Sequence, residues 1–208
     1  MEFVELRPGL YRWEVPHPEW TPADAEDGGW EEVVAGYALD GDEGLVLIDP
    51  LAPADGTEAA ERFWDWVSER VGSGAGPFVL ITIFWHSRSS QGVLDRFSGA
   101  SVWSYEPARE LVSERTAVTH GFRDGEELPG EIVAYHAGRA LEVVLWVPSH
   151  RALVAGFPGS WVQPPGHSGC RARRSAAWAS TSTGSPWVSR SSSTGSSSTG
   201  ARAARMSS

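Results

Sequence analysis

The distribution of acidic residues limits the part of this 208-residue chain that can form a packed domain. All 27 Asp and Glu residues lie at or before Glu142, where ten basic residues leave a net charge of −17. The residues after Glu142 include seven arginines and no acid, which gives them a net charge of +7. From Pro158 the chain has 15 serines in 51 residues and no periodic apolar pattern. Such a segment cannot bury enough apolar surface to offset its ordering entropy. We therefore expect an ordered domain over residues 1–157 and a disordered Ser/Arg-rich tail over residues 158–208.

Two explanations of this tail remain open. It is either a flexible extension that contacts acidic surfaces, or the product of a shifted reading frame. Every basic residue except histidine is Arg, and the chain has no Lys and no Asn, which indicates a GC-rich gene. Out-of-frame translation of such a gene favours Ser, Arg, Ala, Gly, Pro, Thr and Trp. We favour the frame shift, because the acids and the apolar periodicity disappear at nearly the same place.

Composition excludes several classes of protein. The single cysteine, Cys170, rules out an intrachain disulfide framework and a cysteine-built zinc finger. The acidic balance argues against binding to a phosphate backbone, so we expect no nucleic-acid partner. No apolar run approaches the roughly 18–20 residues that span a bilayer, and no secretory signal opens the sequence. We expect a cytoplasmic protein with no membrane partner.

Short apolar runs alternate with amphipathic patterns, which predicts a layered α/β protein. Residues 78–85 (FVLITIFW) are continuously apolar, as is typical of a strand that is buried on both faces. The predicted strands are residues 10–15, 33–39, 44–48, 78–85, 101–104, 131–135, 141–147 and 152–155. The predicted helices are residues 57–71, 90–97 and 107–116.

Common nucleotide and hydrolase motifs are missing from the sequence. The glycine-rich segment 72–77 (GSGAGP) follows a predicted helix and precedes a predicted strand. A phosphate-binding loop has the opposite order, so this segment is interpreted as a turn. The chain also lacks the G-x-S-x-G nucleophile elbow and the G-x-x-x-x-G-K-[ST] loop.

The most informative segment follows the apolar strand and reads WHSRSSQ from Trp85 to Gln91. A histidine at the carboxyl end of a buried strand lies where α/β proteins usually hold ligands. Together with GLVLIDP at residues 44–50, this segment resembles the metallo-β-lactamase fold superfamily. Members of that superfamily show a strand ending in LIDxG, a strand running into T-H-x-H-x-D-H, a G-H-T-x-G-S segment and a strand ending in TGD. Here HAGRALEVVLWV (136–147) and HRALVAGF (150–157) stand at the third and fourth positions, so the resemblance covers roughly residues 10–157.

The resemblance implies a four-layer αββα sandwich whose C-terminal part is incomplete or disordered. It also implies a zinc-dependent hydrolase acting on a small ester, thioester, lactam or phosphoester. The first histidine of the family motif corresponds to His86, and the second corresponds to Arg88, which does not ligate zinc. The other ligand positions correspond to Ser90, Gln91, Gly138 and Phe157, with His136 two residues from Gly138.

These correspondences predict a reduced site. Zinc hydrolysis needs about three protein ligands and an open position for water. His86 and His136 are the candidate metal ligands, and we expect that this chain does not bind zinc. Arg88 is predicted to pair with Asp49, so that an ion pair replaces the charge of the metal. His17 and Trp20 are predicted to line the mouth of the same pocket.

Three functional hypotheses follow. The chain is a hydrolase-like protein that is catalytically impaired or inactive, a non-catalytic member that binds a small molecule or a protein, or a defective product of a frame change. The substrate and any protein partner are not predictable from the sequence.

Sequencing the coding DNA from codon 140 to the stop codon tests the frame-shift hypothesis. We expect that correcting one inserted or missing base restores an acidic, periodic sequence after residue 156. An unchanged reading frame would contradict the hypothesis and leave the flexible extension as the explanation.

Overall fold

The computed structural model describes residues 1–28, 31–71, 76–138 and 141–156, together with the backbone of residues 161–162. The strands of this part of the chain form two β-sheets. The strands of the first sheet, in the order in which they lie side by side, are β1 (Phe3–Arg7), β2 (Leu10–Pro16), β3 (Val33–Gly41), β4 (Gly44–Ile48), β5 (Phe78–Ile81), β6 (Ser101–Tyr105) and β7 (His120–Phe122). Strands β1 to β4 pair antiparallel, and β4 to β7 pair parallel.

The second sheet is antiparallel and is formed by the later part of the described chain. Its strands are β8 (Glu127–Leu128), β9 (Ile132–His136), β10 (Val143–Val147), β11 (Ala152–Ala155) and β12 (Trp161–Val162). The described helices are α1 (Glu58–Val71), α2 (Ser90–Arg96) and α3 (Arg109–Ser113). Four 3-10 turns lie at Pro22–Gly28, Phe84–Ser87, Glu106–Ala108 and Pro148–His150.

Two apolar cores separate three layers. One core lies between the sheets and includes Ile48 and Leu80 from the first sheet and Leu145 from the second. The other lies on the opposite face of the first sheet, where Leu47 and Val79 pack with residues of the helices. The mixed α/β architecture is therefore as predicted. The fourth layer, which would cover the outer face of the second sheet, is not among the described elements.

Helix α1 forms where the sequence predicts it, for local reasons. The hydroxyl of Thr57 accepts a hydrogen bond from the backbone N–H of Ala60 at 3.1 Å, which caps the first turn. Ala60, Phe63 and Val67 recur at helical spacing and are buried against the first sheet. No helix in the described part of the chain is long and apolar enough to cross a membrane.

The predicted strand at residues 78–85 is too long. Strand β5 ends at Ile81, and the chain then leaves the first sheet for the second. The carbonyl oxygen of Thr82 accepts a hydrogen bond from the N–H of Val143 at 2.9 Å, and Ile83 forms an isolated bridge with Glu142. A continuously apolar sequence does not reveal this change of partner, because both sheets bury apolar side chains.

Other boundaries also differ from the predictions. The predicted helix at residues 107–116 is a 3-10 turn followed by the short helix α3. Strands β1, β7, β8 and β12 were not predicted, and three of them have no more than three residues. The predicted tail, residues 158–208, lies outside the described residues except for the backbone of β12.

The side chain of Trp13 joins the first sheet to the loop that follows β4. Trp13 is 1% exposed, and its indole N–H donates to the carbonyl oxygen of Leu51 at 2.9 Å. Gly36 lies opposite Trp13 on β3, and a Cβ atom at this glycine would overlap the indole ring. The glycine therefore provides the space in which the indole reaches the loop that begins with Asp49.

We expect Gly36→Ala to lower the free energy of unfolding by about 1–3 kcal/mol, because the added methyl group displaces the buried indole. Denaturant unfolding measures this change. Gly92→Ala in α2 is the matched control. A Cβ there would meet only the flexible end of Arg96 at 3.3 Å and side-chain atoms of Trp64 at 3.6 Å or more. Helix propensity predicts that Gly92→Ala raises the free energy of unfolding by up to about 1 kcal/mol. Equal stability of Gly36→Ala and the unmodified chain would contradict this account.

Candidate functional site

The candidate site lies at the carboxyl ends of the neighbouring parallel strands β4 and β5. The N–H of Asp49, the first residue after β4, donates to the carbonyl oxygen of Leu80 at 3.0 Å. Thr82 is the first residue after β5, and the 3-10 turn that holds His86 follows. The ends of adjacent parallel strands meet at one edge of a sheet, which is the usual place for a ligand in α/β proteins.

The carboxylate of Asp49 is the centre of a buried hydrogen-bond network. Its Oδ1 accepts from the N–H of Thr82 at 2.9 Å. Its Oδ2 accepts from the hydroxyl of Thr82 and bonds Nδ1 of His86 at 2.8 Å. Asp49 is 4% exposed and Thr82 is fully buried. Asp49 also adopts a φ of +48°, a region that few residues other than glycine occupy.

The surroundings of Asp49 keep this carboxyl group ionised. Burial alone would raise the pKa of Asp49. The charge of His86 and its hydrogen bond, the charge of Arg88 and the hydrogen bond from Thr82 outweigh burial, so the pKa of Asp49 lies below its ordinary value. An ionised carboxylate only accepts hydrogen bonds, which assigns the proton in this contact to Nδ1 of His86. The opposite ring nitrogen, Nε2, points away from Asp49.

Arg88 lies two residues beyond His86 with a φ of +30°. Its Nη1 donates to the carbonyl oxygens of Ala35 and Asp49, each at 3.3 Å. The predicted ion pair of Arg88 with Asp49 is not a direct contact of charges, because the guanidinium bonds the backbone carbonyl of Asp49 while the carboxylate feels its charge. Burial lowers the pKa of Arg88, and the charge of Asp49 opposes that effect.

Polar atoms near Arg88 are only partly satisfied within the protein. Ser89 holds two loops together, because its hydroxyl accepts from the N–H of Ala52 at 2.8 Å and its N–H donates to Pro50. By contrast, the hydroxyls of Ser87 and Ser90 and the Nε atom of Arg88 are buried without a hydrogen-bond partner in the structure. Buried polar atoms rarely lack a partner, so this segment offers unused hydrogen-bonding capacity.

His17 and Trp20 lie on the turn that follows β2. The N–H of Glu19 donates to Nδ1 of His17 at 3.2 Å, and the N–H of Trp20 donates to the carbonyl oxygen of His17 at 3.1 Å. The pKa of His17 is lowered, first by burial and then by the charge of Arg88, with a smaller contribution from His86. The turn therefore lies within electrostatic reach of the site, and both side chains are partly buried.

Trp85 was not singled out as a site residue. It immediately precedes His86 and is 48% exposed, and the centres of the two rings lie 6.3 Å apart in an edge-to-face arrangement. An exposed tryptophan is unusual, because most large apolar side chains are buried. Its position beside a predicted site histidine is the one sequence signal that connects this ring with the site, and its exposure is visible only in the structure.

His136 is placed differently from His86. It is exposed at the end of β9, where its N–H donates to Asp124 at 2.7 Å and its ring stacks with Tyr105 at 5.8 Å. Among the residues that the structure describes, no group of three or more His, Cys, Asp or Glu side chains could hold a metal ion. Gly138 has a φ of +73°, and Phe157 lies outside the described residues.

The second sheet closes one side of the site through Gly156, the residue after β11. A Cβ atom at this glycine would lie 3.3 Å from Cε1 of His86 and closer still to the hydroxyl of Thr82. The backbone of Gly156 therefore packs directly against the Asp49 network. This close approach explains the small residue at the end of the strand.

We expect Asp49→Ala to lower the free energy of unfolding by about 3 kcal/mol or more, because three buried donors lose their acceptor. Asp55→Ala is the matched control, since the side chain of Asp55 is 86% exposed and forms only a surface pair with Arg96. Denaturant unfolding should place the control within about 0.5 kcal/mol of the unmodified chain. The depressed pKa of Asp49 adds a pH signature, because its stabilisation is present above about pH 4 and declines as the pH falls through the folded-state pKa. Asp49→Ala should lack this part of the acid dependence, and equal stability of the two variants would refute the central role of Asp49.

Comparison with known proteins gives a structural likeness without a sequence match. No protein-family model matches the chain, and no curated protein matches it. A beta-lactamase domain protein from Burkholderia ambifaria superposes with a TM-score of 0.52 and 13% identity over 74% of this chain and 53% of that chain. A metallo-beta-lactamase from Pontibacter korlensis gives 0.54 and 17%, over 73% of this chain and 69% of that chain.

The metallo-beta-lactamase FIM-1 from Pseudomonas aeruginosa, in its mono-zinc form, gives a TM-score of 0.51 and 13% identity. The match covers 71% of this chain and 65% of that chain. The chain thus spans between about half and about two thirds of the length of these proteins. At such identities the likeness establishes the fold alone. As the sequence motifs predicted, this chain has the metallo-β-lactamase fold.

Proposed function

We propose that this chain is a hydrolase-like protein of the metallo-β-lactamase fold in which metal-dependent catalysis is impaired. The observation that carries the proposal is the position of Arg88. Its guanidinium lies beside Asp49, at the place where the resemblance puts the second histidine of the metal motif. A permanent cation at this place repels a metal ion and supplies no lone pair for it.

The neighbouring residues also fit zinc poorly. A zinc hydrolase site uses about three protein ligands and keeps a further position open for water. Both carboxylate oxygens of Asp49 already accept hydrogen bonds, and the contacts of His136 are with Asp124 and Tyr105. His86 alone, with its Nδ1 bonded to Asp49, does not complete such a set.

A second candidate function is the binding of a small molecule without catalysis. The observation that favours it is the exposed ring of Trp85 next to His86, at the same end of the sheet as the partly exposed Arg88. An apolar ring with a few converging polar groups is the usual composition of a ligand site. In this function the ligand binds at the position of the family's metal site, and no metal takes part.

Metal content tests the first proposal. We expect the full-length protein, purified without chelator and dialysed against zinc, to contain zinc well below one ion per chain. The variant that combines Arg88→His, Ser90→Asp and Gln91→His restores the family pattern after His86 and should gain zinc, because it supplies further ligands. Elemental analysis by mass spectrometry measures both proteins, and Arg88→His alone keeps the test valid if the triple variant does not fold.

Hydrolysis of a chromogenic ester and a chromogenic β-lactam, with and without zinc, completes the test. We expect no zinc-dependent turnover by the unmodified chain. Stoichiometric zinc that is lost in His86→Ala, together with zinc-dependent turnover, would overturn the proposal and identify a working metallohydrolase.

A further inference from the structure

We infer that Arg88 binds a small oxyanion, the carboxylate or phosphate group of a ligand, at the carboxyl ends of β4 and β5. This inference rests on the proposed absence of a metal and names the ligand class for the binding function. It begins from the geometry of one guanidinium group.

The hydrogen bonds of Arg88 leave one edge of its guanidinium unused. Both bonds that the structure gives this group, to the carbonyl oxygens of Ala35 and Asp49, are made by Nη1. Nε is buried without a hydrogen-bond partner. The edge formed by Nε and Nη2 carries two parallel N–H groups, which is the fork that pairs with a carboxylate or a phosphate. An oxyanion would satisfy the buried N–H group.

The local charge favours the same ligand. No carboxylate in the described part of the chain lies within 4.0 Å of the Arg88 guanidinium. The carboxylate of Asp49 instead forms hydrogen bonds with Thr82 and His86. His17 lies within electrostatic reach of Arg88 and His86. The guanidinium is thus a partly buried cation that feels the charge of Asp49 but has no carboxylate in direct contact. A buried cation without a directly paired anion is only partly compensated, so an anion that pairs with it is stabilised there.

Arg70 shows what a purely structural arginine looks like in the same protein. Its guanidinium stacks on Trp66 at 3.8 Å and on Tyr11 at 4.6 Å. Its Nε is also buried without a hydrogen-bond partner, but this atom faces the carboxylate of Asp40 at 3.7 Å, and Arg88 has no such carboxylate beside it. Arg88 bonds Ala35 on β3 and Asp49 in the loop after β4, so it also braces this strand against that loop. Bracing accounts for the hydrogen bonds of Nη1, but it gives Nε no partner. The partial exposure of Arg88 gives a small anion a route to the guanidinium.

Thermal unfolding of the full-length protein tests the inference, with inorganic phosphate and acetate as separate probes and chloride at the same ionic strength as the reference. We expect a saturable rise in Tm with at least one probe. In Arg88→Met the apparent Kd should rise by at least about tenfold, because the forked pairing is lost. Arg70→Met is the matched control, since it removes a partly buried arginine of α1 and should keep the response.

Each outcome bears on the inference. A response to phosphate alone assigns a phosphate group, and a response to acetate alone assigns a carboxylate. No response beyond chloride, or an equal response in Arg88→Met, overturns the inference. If zinc is absent, that failure leaves the impaired-hydrolase proposal standing, whereas stoichiometric zinc in the unmodified chain overturns the proposed function itself.

A measurement on the unmodified protein covers the case in which Arg88→Met does not fold. Phenylglyoxal labels arginine side chains, and peptide mass spectrometry reports each labelled position. The bound anion should slow labelling of Arg88 and leave Arg62, whose side chain is 48% exposed on α1, unchanged. Equal protection of both arginines, or of neither, contradicts the inference.

Discussion

The ionised carboxylate of Asp49 is the interaction on which the arrangement of the site depends. It joins the end of β4 to the end of β5 through Thr82, and it holds His86 by Nδ1. A carboxylate in such a buried place is stable only if charges and donors offset its loss of hydration. His86, Arg88 and Thr82 supply them together, so these residues act as one unit and replacing any of them changes the environment of the others.

The same region also contains the junction of the two sheets. The chain leaves the first sheet at Ile81, and the backbone at Thr82 and Ile83 pairs with Val143 and Glu142 at the edge of the second. Gly156 then packs against the same network. Thr82 and Ile83 therefore connect the two sheets, and the backbone between them and α2 is irregular, including the positive φ of Arg88.

Local patterns accounted for most of the regular elements. The run GLVLI before Asp49 and the helical spacing of Ala60, Phe63 and Val67 are visible in the sequence, because they reflect burial of one face or one strand. The early end of β5 was missed, because its cause is a hydrogen bond to a residue some sixty positions away. Trp85 was missed for a similar reason, since an apolar residue within an apolar stretch of sequence gives no sign that its side chain is exposed.

The sequence by itself determined the fold and the presence of Arg88 where the resembled motif has histidine. These features follow from residue type and order along the chain. Only the tertiary structure decided what Arg88 contacts and which of its N–H groups stays unused. That decision depends on Ala35, 53 residues away on β3, and on the backbone of Asp49. Hydrogen-bond partners across such distances arise when the sheets pack, so no local pattern encodes them.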